Sequence, residues 1–138
     1  MNPYQAYSQS GTTGMTRVDM ILALYDGAIR SIENARAALL ENNASGAYPH
    51  LMNAQQFVAG LAAGLDLSQA EATVNLLRLF EFAAHCIASG SLEKLEGAAK
   101  VLKTLREGYQ EIRPEAIRLE RTGEIPPIQS SPLVRATA

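Results

Sequence analysis

Tryptophan is absent from the 138 residues, cysteine occurs once and histidine twice. The single thiol, Cys86, cannot form a disulfide within the chain, so a reducing compartment, the cytosol, is the expected location. Two histidines leave little for a metal centre. A di-iron bundle needs Glu-x-x-His repeats on facing helices, and neither His50 nor His85 stands in one. Glu81 and His85 are one turn apart, but they share a polar stripe with Glu71, Asn75 and Arg78, which reads as a solvated face. His85 precedes Cys86, yet sequence neighbours do not face each other on a helix. Cys86 therefore reads as a small buried hydrophobe. There is no glycine-rich phosphate loop and no local Ser-His-Asp arrangement. The expectation is a protein that is not an enzyme, with no catalytic residue, no cofactor and no metal.

Charge is scarce too. Charged residues make up 19% of the chain and the net charge is −2, so no basic footprint points to a nucleic-acid partner. The longest apolar run, "FVAGLAAGL", falls short of the roughly 20 residues that cross a bilayer, and no stable membrane insertion is expected. The opening residues "MNPYQAYSQSGTTG" lack the basic and apolar regions of a signal peptide.

What is present is helical periodicity. Residues 1–15 lack it and read as a flexible arm carrying Tyr4 and Tyr7. Thr16 reads as an N-cap, with Asp19 three residues on. From Val18 the apolar residues fall at 18, 21, 22, 25, 29, 32 and 39, which is helical spacing. "ENNASG" at 41–46 breaks the pattern. A second helix is expected over about Gly46 to Leu65, with Pro49 in or before its first turn. "SQAE" at 68–71 forms a capping box for a third helix that ends at Ser89, before Gly90. Ser91 caps a fourth, with Leu95, Ala98, Ala99, Leu102, Leu105, Tyr109 and Ile112 on its core stripe. Pro114 is expected to kink or end it, leaving 114–138 as a short helix and a disordered tail. No stretch alternates as a strand would. The fold class is all-α: an antiparallel up-down four-helix bundle over 16–113.

The first helix carries more apolar surface than one core stripe needs. Val18, Ile21, Leu22, Tyr25, Ile29 and Ile32 form one stripe, and Asp19, Asp26, Arg30 and Glu33 a polar one. A further sector holds Met20, Leu24, Gly27 and Ser31, beside Tyr25 and Ala28. Gly27, following Asp26 in mid-helix, is locally unfavourable. Two accounts stand. Either this helix is simply the most buried, or Met20, Leu24, Tyr25, Gly27, Ala28 and Ser31 form a groove for a partner's apolar helix. In the second account Tyr4 and Tyr7 anchor the arm over the groove until the partner arrives. In the second helix, Gly60 to Gly64 ("GLAAG") is expected to let a neighbouring helix come close.

Several segments together resemble the FliS family of flagellar export chaperones. They are "NPYQAY" at the start, "LYDGAI" (24–29), "NAQ" (53–55), "LD" (65–66), "NLLRLFEF" (75–82) and "LREGY" (105–109). The Tyr pair with "LYDGAI" is the most specific part. Two features depart from the pattern. "TRVD" stands where the family commonly has Ser-Pro-Glu, and the tail after Pro114 has no recognised counterpart. The resemblance implies a chaperone that binds the disordered C-terminal segment of flagellin in apolar grooves. It also implies that the chaperone prevents premature polymerisation and delivers flagellin to a flagellar export gate protein. The rival reading is a self-association or adaptor bundle without a flagellin client, whose first helix closes a homodimer.

Overall fold

The computed structural model describes residues 14–65 and 71–124. Four α-helices account for nearly all of them, and there is no strand among the described residues. They are α1 (Arg17–Leu40), α2 (Ala44–Ala63), α3 (Glu71–Ser89) and α4 (Leu92–Arg121).

Local chemistry explains most of the boundaries. Thr16 Oγ1 accepts the Asp19 N–H at 3.2 Å and opens α1. After Leu40 the chain turns through Asn42 at φ 59°, a left-handed conformation that Asn tolerates. Asn43 Oδ1 then accepts the Gly46 N–H at 2.9 Å and opens α2. Gly90, at φ 68°, ends α3, and Ser91 Oγ accepts the Lys94 N–H at 3.2 Å to start α4. The capping box expected at Ser68 lies outside the described residues.

Pro49 sits deeper in its helix than expected, and Pro114 does not end its helix. Pro49 lies in the second turn of α2, because Asn43 starts that helix earlier than Gly46. The Ser45 carbonyl, which loses its N–H partner to Pro49, belongs to an exposed residue that water can reach. Pro114 lies inside α4, which continues to Arg121, so residues 114–121 are its last two turns. Packing on both sides of the proline holds the helix together. Arg113 donates to Asp19 through Nε at 2.7 Å and Nη2 at 3.1 Å, and Glu120 Oε2 accepts the Arg17 N–H at 2.9 Å.

The helices form a ring: α1 packs on α2 and α4, and α3 packs on the same two. Three ion pairs join α1 to α4: Asp19–Arg113, Asp26–Arg106 and Glu33–Lys103. Their numbers rise along α1 as they fall along α4, which is the antiparallel register of an up-down bundle. The Arg113 guanidinium holds the Asp19 carboxyl below the usual carboxylate range. All three pairs are partly exposed, so each is worth about 0–1 kcal/mol and contributes register more than stability. Stability comes from the interior, where Tyr25, Phe80, Met20, Leu24, Ile32, Ile87, Leu95 and Leu102 are fully buried. Burying each Leu or Ile contributes roughly 1.5–3 kcal/mol. Gln55 Nε2 adds a tie between α2 and α3, donating to the Ala84 carbonyl at 2.8 Å. No described helix is long and apolar enough to cross a membrane.

Candidate functional site

The extra apolar sector of α1 faces inward. Met20 and Leu24 are each 1% exposed, Tyr25 and Ala28 0%, and Ser31 8%. Gly27 is buried as well. The covering element is α2. A methyl group at Gly27 would overlap the Phe57 ring, and the Leu24 methyls lie 3.8 Å from where a Cβ on Gly60 would stand. Of the two accounts of α1, the first describes the molecule: this is a deeply buried helix. Its second stripe is not an open groove and has no free surface with which to close a homodimer. The close approach expected at Gly60 occurs at Gly27, while Gly64 ends α2 as its C-cap. Tyr4 and Tyr7 lie outside the described residues.

Exposed apolar surface lies instead between α3 and α4. A groove of about 440 Å³ runs between Ala72, Asn75, Leu76 and Leu79 on one side and Thr104, Leu105, Gly108, Tyr109 and Ile112 on the other. Leu79 also borders an adjoining hollow of about 220 Å³, lined by Lys100, Val101, Thr104 and Leu105. Leu79 is 39% exposed and Ile112 52%. Exposed Phe82 follows Leu79 on the same face of α3.

Ile112 was expected in the core. At 100° per residue Ile112 stands about 80° around α4 from the buried Leu102, which sets it on the rim rather than in the interior.

Gly108 belongs to the α4 wall, and Gly97 lies beyond it on the same side of α4. Gly97, Val101, Thr104, Gly108 and Ile112 repeat at helical spacing and share one face. A Cβ at Gly97 or Gly108 would meet nothing within 4 Å. Each glycine costs about 1 kcal/mol of helix propensity relative to Ala, and no contact with the described residues offsets it. This was the signal the sequence offered for the groove: Gly108 inside a strongly periodic helix. No cluster of three or more His, Cys, Asp or Glu able to hold a metal ion occurs among the described residues.

No curated protein and no solved structure matches the chain. The family model described as "Flagellar protein FliS" matches residues 1–116, which covers all of α1 to α3 and most of α4. By that match the chain belongs to the flagellar protein FliS family, the flagellar export chaperones.

Proposed function

We propose that this chaperone receives the disordered C-terminal segment of flagellin as an apolar helix in the groove between α3 and α4. The observation that carries the reading is the groove itself: Leu79 and Ile112 half-exposed on facing walls, with Gly108 leaving the α4 wall open between them. A client helix laid there buries residues that the four helices leave exposed. Ordering a disordered segment costs roughly 2–5 kcal/mol. Burial of a few Leu- or Ile-sized side chains, at about 1.5–3 kcal/mol each, exceeds that. While bound, the segment is unavailable for polymerisation in the cytosol, and release falls to a competing protein at the export gate.

In this reading the arm carrying Tyr4 and Tyr7 covers the groove before the client arrives. Its geometry is suitable. The hydrogen bond between Arg17 and Glu120 places the start of α1 beside the end of α4. The Ala72–Ile112 end of the groove lies about two turns away along α4, roughly 12 Å at 1.5 Å per residue. Thirteen residues extend to roughly 40 Å, enough to cover it.

Photo-crosslinking tests the placement. A crosslinking residue at Leu79 or Ile112 is expected to capture the flagellin C-terminal segment, and one at exposed Met52 on α2 is not. Capture from Met52 alone would move the site to another face.

A further inference from the structure

Tyr25 is fully buried, and its hydroxyl has no hydrogen-bond partner among the described residues. Phenylalanine would fill the same space without leaving a polar atom unpaired, so the hydroxyl is a burden on the free fold. Its surroundings connect it to the groove. The Tyr25 ring packs against Phe80 at 6.1 Å and against Tyr109 at 5.6 Å between centroids. Tyr109 is half-buried, and its other side lines the groove. One aromatic ring therefore lies between Tyr25 and the client surface. Burial, reinforced by the neighbouring Tyr109 phenol, pushes the Tyr25 phenol far above its ordinary value, so it stays protonated as a donor.

We propose that Tyr25 is a latent polar anchor that selects the client. Rotation of Tyr109 away from the groove wall exposes the Tyr25 hydroxyl to an uncharged hydrogen-bonding side chain on the client's apolar helix. The class is uncharged because an ionised group would lose its hydration in this apolar interior. A client without such a group would leave the hydroxyl unpaired, which is how a buried polar group discriminates. The inference rests on the groove being the client site.

The test is the full chain with Tyr25→Phe, titrated by fluorescence anisotropy with a labelled flagellin C-terminal peptide beside the wild type and Leu79→Asp. The anchor predicts a urea midpoint for Tyr25→Phe equal to or above that of the wild type, with client Kd raised about tenfold. A lower urea midpoint would mean the hydroxyl is already paired in the free chain, and an unchanged Kd would mean the client does not use it. Either result overturns the anchor. If Leu79→Asp binds like the wild type, the groove reading itself falls. If Leu79→Asp loses binding while Tyr25→Phe keeps it, only the anchor falls.

Discussion

Gly27 and Gly60 show how one residue type does two different jobs on the α1–α2 interface. At Gly27 the Phe57 ring occupies the space a side chain would need, whereas at Gly60 the nearest atoms stand at ordinary contact distance. Gly27→Ala displaces the Phe57 ring, and overpacking of this kind costs about 1–3 kcal/mol, part of which the gain in helix propensity returns. Gly60→Ala keeps the propensity gain of about 1 kcal/mol with no clash. Urea unfolding of the two variants is expected to show opposite signs, destabilising at 27 and stabilising at 60. Leu24→Asp places a carboxylate in the interior and is expected to abolish the cooperative helical signal by circular dichroism. That two-sided apolar character was legible in α1 alone. The partner that covers it was not, because the fit of Phe57 to Gly27 joins residues 30 positions apart.

The buried phenols of Tyr25 and Tyr109 give stability a pH dependence. Burial raises both above the ordinary phenol value near 10. The folded chain therefore keeps protons that the unfolded chain releases. Their contribution is complete below about pH 10 and is lost as pH rises above it. The urea midpoint is expected to fall across that range, and Tyr25→Phe to fall less steeply. Parallel curves for the two proteins would show that Tyr25 takes no part.

At the scale of the helices, caps were readable and prolines were not. Thr16, Gly90 and Ser91 act through atoms within four residues of themselves, so their roles are written locally. Pro114 looks like a stop locally, but Arg113 and Glu120 tie both sides of it to α1, and such ties span about a hundred positions. The α3–α4 groove was hidden for the same reason, since it needs two helices to exist. Gly108 lies where both levels meet. It weakens α4 and opens the groove. Gly108→Ala is expected to stabilise the free chain by about 1 kcal/mol and, on the proposed placement, to weaken client binding, because its methyl projects into the groove. A variant that is more stable and binds as tightly would show that this glycine has no part in the site.

For the whole molecule, the up-down bundle followed from four periodic segments and short connections, and the family from motifs spread through all four helices. The proposed binding surface did not follow from either. Apolar excess in α1 pointed to a site there, whereas the bundle uses that excess in its own core and the described residues leave the α3–α4 groove open. The most direct check is the affinity of the flagellin C-terminal segment for the doubly substituted chain Leu79→Asp/Ile112→Asp, measured by calorimetry beside the wild type. Both side chains are half-exposed, so the fold is expected to survive with an unchanged circular dichroism spectrum. The account predicts a Kd weakened at least a hundredfold, about 2.7 kcal/mol, from loss of two apolar contacts. Wild-type affinity in a fully folded double variant would contradict it.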